Sequence, residues 1–130
     1  MTEYPAAVLR HFREPVGAGV FAPDQLRFGT AALGTVKSGT KVVFQLGLSA
    51  DGLVDRVGWL AFGCPSTVAC CSWFADMLPG HDVSQAKELL HGQVADALSI
   101  PRDVRTRVLV VEDAGMMALR LADEDRQKTR

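Results

Sequence analysis

The chain has 130 residues, of which 48% are hydrophobic and 22% charged, and its formal net charge is −1. This hydrophobic content is enough to bury a core, so we expect residues 1–130 to form a single domain. The near-neutral charge excludes an overall basic surface for nucleic acid, and no apolar run reaches the roughly 20 residues that span a membrane. The charged N-terminus lacks a signal-peptide pattern, so we expect a cytoplasmic protein.

The first half of the chain predicts a helix followed by a small antiparallel sheet. Segment 4–12 predicts a short helix, and 14–25, with two Pro and two Gly, predicts a loop. Short turns are expected at 37–40 and at 49–52, the second of which contains an Asp-Gly pair that favours a hairpin. Consecutive strands joined by short turns form an antiparallel meander. The predicted strands are 27–36, 41–49 and 52–63.

The second half of the chain has the residue pattern of helices. From Cys64 onward the apolar residues recur at helical spacing, and Pro and Gly residues separate the helical segments. Strands followed by helices indicate an α+β fold, with a three-stranded meander, an N-terminal helix and a C-terminal set of helices packed on the sheet. The expected helices are 65–78, 83–90, 93–98 and, after a strand-like start, 104–127.

A cysteine occupies the junction between the third strand and the first of these helices. If the helix begins at Pro65, then Cys64 is its N-cap, and the N–H groups of Ser66 and Thr67 point towards the sulfur. Those donors and the positive end of the helix lower the pKa of a thiol, while Gly63 allows the sharp turn from strand to helix. The junction therefore predicts a reactive thiolate, although a buried cysteine that acts as a small hydrophobic side chain remains an alternative.

The two other cysteines are expected to be core residues. Cys70 and Cys71 lie in the body of an apolar helix, and in a reducing compartment they do not indicate a disulfide framework. Cys71 is two helical turns from Cys64, about 10 Å by helical rise, so these two thiols do not bind one metal ion together.

Three motifs resemble the iron–sulfur cluster scaffold IscU and the N-terminal domain of NifU. The segment FGCPSTVA (62–69) resembles the central cysteine motif of that family, and VEDA (111–114) resembles its LAEDA segment. The spacing of Tyr, Val, His, Pro and Gly over 4–19 resembles the opening helix and loop. The resemblance runs without a gap from about Gly29 and implies a three-stranded antiparallel sheet with helices packed against it.

The chain departs from this family at the cluster ligands. The family's first cysteine lies in a Cys-Gly-Asp triplet, where this chain has Ser38-Gly39-Thr40, and its His-Cys pair is replaced by Thr106 and Arg107. Of the family's ligands only Cys64 remains. A [2Fe–2S] cluster needs four ligands and zinc prefers about four, so one cysteine does not hold either in a monomer.

The remaining thiol suits a sulfur acceptor. The segment GCPSTV (63–68) resembles the GCQSQV loop of SufE-type proteins, which take a persulfide sulfur from a cysteine desulfurase through one cysteine and pass it to a recipient. The leading hypothesis is a non-enzymatic protein of iron–sulfur cluster biogenesis in which Cys64 accepts the sulfur and Arg107 stabilises the anion. Ser38 and the helix N-terminus are expected to assist, and the residues expected to shape the site are Gly39, Gly63, Pro65 and Ser66.

Two other hypotheses stay open. In one, two protomers each contribute Cys64 to a bridging [2Fe–2S] cluster or iron site that other thiols complete. In the other, the chain regulates a cysteine desulfurase by occupying its docking surface. The family's Leu-Pro-Pro-Val-Lys segment, which a dedicated Hsp70-type chaperone binds, is replaced by residues 100–104, so recognition by that chaperone is not expected.

The other polar and aromatic candidates receive structural interpretations. His11 is expected to pack or cap, and His81 and His91 lie in turns without a ligand partner at a recognisable spacing. Glu112 and Asp113 are expected to place negative charge at the start of the last helix. The aromatic residues expected in the core or at an interface are Trp59, Trp73 and Phe74.

Overall fold

A computed structural model describes residues 4–19 and 27–128 of the chain. The predicted loop 14–25 therefore lies partly outside the described residues. Three strands follow one N-terminal helix, and four further helices complete the chain. The elements are α1 (Ala6–Arg13), β1 (Phe28–Thr35), β2 (Thr40–Leu48), β3 (Val54–Phe62), α2 (Pro65–Met77), α3 (Val83–Leu89), α4 (Val94–Ala97), a 3₁₀ turn (Arg102–Val104) and α5 (Arg105–Lys128).

The three strands form one antiparallel sheet in the order β1-β2-β3, as the short turns predicted. Thr35 pairs with Thr40 across the first turn, and Lys41 pairs with Phe62 at the same end of the sheet. At the opposite end the predicted Asp-Gly hairpin is present, with Gly52 at φ +83°, where glycine carries no steric penalty. The α+β class and the meander are thus confirmed.

The helices cover one face of the sheet. α5 packs on β1 and β2, α2 packs on β3, and α1 packs on α2, so the core lies between the sheet and these helices. β2 contributes most of the large buried strand residues, among them Phe44, whose ring meets the edge of Phe74 from α2 at 6.4 Å between centroids. None of the helices in the part of the chain that the structure describes is long and apolar enough to cross a membrane.

The strand-like start predicted for segment 104–127 is wrong. A 3₁₀ turn leads directly into α5 at Arg105, and the Val-rich run is helical throughout. Val108 and Val111 are almost completely buried against the core, so tertiary packing outweighs the modest β preference of valine. Gly115 does not interrupt α5. A Cβ at this position would lie 2.5 Å from the side chain of Leu90, so the glycine allows Leu90 to pack closely against α5.

His11 has a structural role, as the sequence predicted. Its Nδ1 lies 2.7 Å from the hydroxyl of Ser72 on α2, and that hydroxyl also accepts the N–H of Val16 at 2.9 Å. The Nε1–H of Trp59 donates to the carbonyl of Val16 at 2.7 Å. Burial lowers the pKa of His11, and Arg10 adds to this effect while Asp76 opposes it. These contacts fasten α1 and the following loop to the core.

Glu112 and Asp113 do not place charge at the start of the last helix, because α5 begins seven residues before Glu112. The Glu112 side chain is buried and accepts the N–H of Gly92 at 2.6 Å, which closes the turn between α3 and α4. Burial raises the pKa of Glu112 above its ordinary value of 4.5, while Gly92 and His91 lower it and Asp113 raises it further. Glu112 is therefore a buried structural carboxyl.

This raised pKa predicts a pH-dependent contribution to stability. The stabilisation is complete below the ordinary pKa of 4.5 and is lost as the pH rises through the higher folded-state value. Glu112→Gln keeps an acceptor for Gly92 and does not ionise, so we expect its free energy of unfolding to vary less than wild type between about pH 4 and pH 8. Urea unfolding at both pH values measures this difference.

Two further variants give the prediction its controls. Glu112→Ala leaves the Gly92 N–H without its acceptor and is expected to cost about 1–3 kcal/mol. Asp113→Asn alters the exposed neighbour and should retain most of the wild-type pH dependence. An identical pH dependence in wild type and Glu112→Gln would contradict the role given to this carboxyl.

Candidate functional site

Cys64 is the N-cap of α2, as the junction predicted. Its φ of −75° and ψ of 168° are extended, and Pro65 occupies the first helical position. The preceding Gly63 approaches the helix closely, because a Cβ there would lie 2.9 Å from Oγ1 of Thr67. The end of β3 and the first turn of α2 thus hold the thiol at a fixed place on the molecule, with its side chain half-buried.

The surroundings of Cys64 favour the thiolate. Burial raises the pKa of the thiol, but the backbone and hydroxyl of Thr67, the Arg107 side chain and the Ser66 N–H lower it by more, so the pKa lies below 9.0. The Thr67 hydroxyl is 3.6 Å from the sulfur. The Thr67 N–H donates to the Cys64 carbonyl at 2.9 Å, which closes the first turn of the helix.

Cys70 and Cys71 differ from Cys64 in every respect that governs reactivity. Both are completely buried, and burial raises the pKa of each thiol far above its ordinary value. Both lie in the interior of α2, where they contribute to the hydrophobic core. The prediction that they are core residues is confirmed, and Cys64 is the thiol available for chemistry.

A small cavity of about 70 Å³ adjoins Cys64. Its walls come from three separate parts of the chain: the segment before α1, the first turn of α2, and the segment that leads into α5 together with its first turn. The structure therefore brings Arg107 and Ser66 into the same site as Cys64. The lining residues are Tyr4, Cys64, Ser66, Pro101, Asp103, Val104 and Arg107.

The other substituted ligand positions have different surroundings. The turn with Ser38 and Gly39 lies at the same end of the sheet as Cys64, because Lys41 pairs with Phe62 there. The Ser38 hydroxyl donates to the Thr35 carbonyl at 2.8 Å and so stabilises its own turn. Its assistance to an anion on Cys64 stays a prediction. Thr40 is buried, and Thr106 is exposed and does not line the cavity.

Four residues of the cavity were not expected from the sequence. Tyr4 belongs to the opening motif, yet nothing in that motif shows that its ring reaches a site 60 residues away. Pro101, Asp103 and Val104 lie in the segment that replaces the chaperone motif, and their position beside Cys64 depends on how the 3₁₀ turn packs. Asp103 also places a carboxylate at the site, and no pattern in the sequence indicates this.

These residues do not suffice for a cluster or a tetrahedral metal ion. Within residues 4–19 and 27–128 there is no group of three or more His, Cys, Asp or Glu side chains placed to hold a metal. The cavity offers one thiolate, Cys64, and one carboxylate, Asp103, whereas Arg107 repels a cation. A [2Fe–2S] cluster requires four ligands, so the cavity of a single chain has too few ligands to hold one.

The fold and the site define a small α+β protein that presents one half-buried thiol with a lowered pKa at a strand-to-helix junction. Residues 3–124 match the sequence model of the NifU-like N terminal domain, and the chain belongs to this family. The resemblance inferred from the sequence motifs is confirmed.

Curated relatives and solved structures agree with this assignment. The chain is 29% identical to the iron–sulfur cluster assembly protein IscU of Plasmodium falciparum, over 85% of this chain and 68% of the relative. It is 27% identical to the scaffold protein IscU of Rickettsia prowazekii, over 85% of each. A NifU-like N-terminal domain from Brucella abortus shares the fold, with a TM-score of 0.67, 20% identity and coverage of 92% of this chain and 93% of that one.

A second solved structure shows the same fold. It is described as an iron–sulfur cluster assembly scaffold of the SUF system from Fervidobacterium islandicum AW-1. The match has a TM-score of 0.66 and 13% identity, and it covers 89% of this chain and 96% of that one. The arrangement of sheet and helices is therefore kept at low sequence identity.

Proposed function

We propose that this protein acts in iron–sulfur cluster assembly as a sulfur acceptor that carries a persulfide on Cys64. Its family and the scaffold relatives support a role in cluster assembly. The observation that carries the finer proposal is the Cys64 site itself, where an accessible thiol with a lowered pKa faces Arg107 in place of a cluster ligand.

The proposed step needs no oxidant or reductant. The Cys64 thiolate attacks the outer sulfur of a persulfide on a cysteine desulfurase, and a new S–S bond forms at Cys64. The S–S bond of the donor breaks, and the donor cysteine leaves as a thiolate with the bonding electron pair. The positive end of α2 and the Arg107 guanidinium favour the anion on Cys64 both before and after the transfer.

Native mass spectrometry tests this proposal. The protein is incubated anaerobically with a cysteine desulfurase, cysteine and ferrous iron, and then separated from the desulfurase. We expect one added sulfur atom, no iron, and peptide mapping of the sulfur to Cys64. Bound iron together with sulfide, above all in a dimer, would show that two chains complete a cluster site and would overturn the sulfur-carrier role.

A further inference from the structure

We infer that the cavity beside Cys64 is a binding site for the outer sulfur of a persulfide on that residue, with the Ser66 hydroxyl as its hydrogen-bond donor. The inference rests on the proposed function. It adds to that function the cavity in which the sulfur is held and the hydrogen bond that retains it there. It assigns a role to Ser66 that the persulfide hypothesis alone does not require.

Ser66 provides the first observation. Its side chain is 1% exposed, and its Oγ is the one buried side-chain N or O atom without a hydrogen-bond partner among the residues that the structure describes. Ser72, further along the same helix, is also buried, yet its hydroxyl is bonded to both His11 and Val16. An unpaired buried hydroxyl costs stability. Ser66 also lines the cavity, so we take its hydroxyl as the donor that an acceptor bound there would satisfy.

The dimensions of the cavity provide the second observation. Its volume of about 70 Å³ has room for roughly two groups of the size of a water molecule. A single sulfur atom attached to Cys64 fits this space, whereas a [2Fe–2S] cluster with its ligands does not. Tyr4, Pro101 and Val104 form the less polar part of the wall. In the inferred role, this wall slows the approach of external thiols to the sulfur.

The charges around the cavity indicate a singly charged occupant. Arg107 contributes one positive charge, and the N-terminus of α2 contributes the partial positive charge of a 13-residue helix. Asp103, which also lines the cavity, contributes a negative charge, which disfavours doubly charged oxyanions such as phosphate. A persulfide anion carries one negative charge, and its outer sulfur is a soft hydrogen-bond acceptor. Such a group matches the small net positive charge around the cavity.

Retention of the sulfur follows from this arrangement. An external thiolate removes the outer sulfur by attacking it, which forms a new S–S bond, breaks the bond to Cys64 and returns Cys64 as a thiolate. A hydrogen bond from Ser66 stabilises the persulfide before this attack, and the cavity walls hinder the approach. Both effects lengthen the lifetime of the persulfide once it has formed.

The test compares loading with lifetime. Wild type, Ser66→Ala and the exposed-serine control Ser84→Ala are each loaded by a desulfurase with cysteine or, separately, by glutathione persulfide. Dithiothreitol is then added, and mass spectrometry follows the decay of the one-sulfur adduct. The decay of each protein is normalised to its own initial loading. We expect Ser84→Ala to decay as wild type does and Ser66→Ala to decay about tenfold faster, the effect of losing one hydrogen bond to a charged acceptor.

Thermal unfolding of the unloaded proteins distinguishes this role from a structural one. Because the Ser66 hydroxyl has no partner to lose, we expect Ser66→Ala to unfold at the same temperature as wild type or at a higher one. Equal decay rates in wild type and Ser66→Ala would overturn the inference. Protection of Cys64 from iodoacetamide by inorganic phosphate would also overturn it, since the cavity would then be an oxyanion site.

The two sulfur sources separate the two proposals. Loading by glutathione persulfide without loading by the desulfurase would contradict the proposed function and leave the lifetime comparison intact. Loading by both sources with equal lifetimes would contradict the Ser66 inference alone. Loading by neither would overturn both.

Discussion

Cys64→Ser is expected to abolish sulfur loading from a cysteine desulfurase. A serine hydroxyl stays protonated near neutral pH and does not attack a persulfide, while the geometry of the helix N-cap is kept. Cys71→Ala is the matched control, because Cys71 is completely buried on the same helix and its pKa is raised. It should load one sulfur as wild type does. Gel-shift alkylation or mass spectrometry of the isolated protein measures the loaded fraction.

The same variants distinguish sulfur transfer through Cys64 from regulation of the desulfurase by binding alone. If Cys64→Ser still binds the desulfurase and still changes its rate, the chain regulates that enzyme by occupying its surface. Loading of Cys64→Ser to the wild-type level would mean that a buried thiol becomes accessible, and the acceptor assignment would be wrong.

The pH dependence of alkylation adds a check on the electrostatics. Since the pKa of Cys64 is lowered, its reaction with iodoacetamide should reach half of its maximal rate below pH 9.0. Arg107→Ala should move this midpoint to higher pH.

Gly29→Ala is expected to destabilise the whole domain. A Cβ at Gly29 on β1 would lie 1.9 Å from the backbone carbonyl oxygen of Ala118 on α5, and 2.8 Å from the backbone nitrogen of Ala122. Backbone atoms do not rotate away as a side chain does, so α5 must move off the sheet. We expect a loss of about 3 kcal/mol or more, at the upper end of the cost of overpacking a core. Urea unfolding measures it.

Ala32→Ser is the control for this prediction. Ala32 lies on the same strand, is exposed, and faces the opposite side of the sheet from α5. Its substitution should change the free energy of unfolding by less than about 0.5 kcal/mol. Equal stability of Gly29→Ala and wild type would mean that β1 and α5 do not approach as closely as the structure shows.

The substitutions at the family's ligand positions have a common consequence for the site. At the positions where the family resemblance places cluster ligands, Ser38, Thr40 and Thr106 offer poor ligands for iron. Arg107 adds a positive charge that repels a metal ion. In the proposed function, the charge that disfavours a metal stabilises a sulfur anion on Cys64. This chain shares its fold with proteins described as scaffolds, and we propose that its cavity differs from theirs in favouring an anion.

Several features of the protein were predictable because they depend on neighbours in the sequence. The three strands and their turns follow from apolar alternation and an Asp-Gly pair, and the N-cap position of Cys64 follows from the Gly63 and Pro65 that flank it. The burial of Cys70 and Cys71 follows from their place in an apolar helix. In each case residues that are close together in the sequence decide which element forms and which side chains are buried.

Other features depended on packing between distant segments, and local patterns do not contain them. The helical start of α5 was misread because the β preference of a Val-rich run is weaker than its burial against the core. The Glu112 contact with Gly92, and the approach of Asp103 and Arg107 to Cys64, join residues 20 to 43 positions apart. The sequence by itself determined the fold class, the strands and the position of Cys64 at the N-cap of α2. The tertiary structure alone decided which charged and polar groups surround that thiol, because only the packing of α2 against the segment before α5 brings them together.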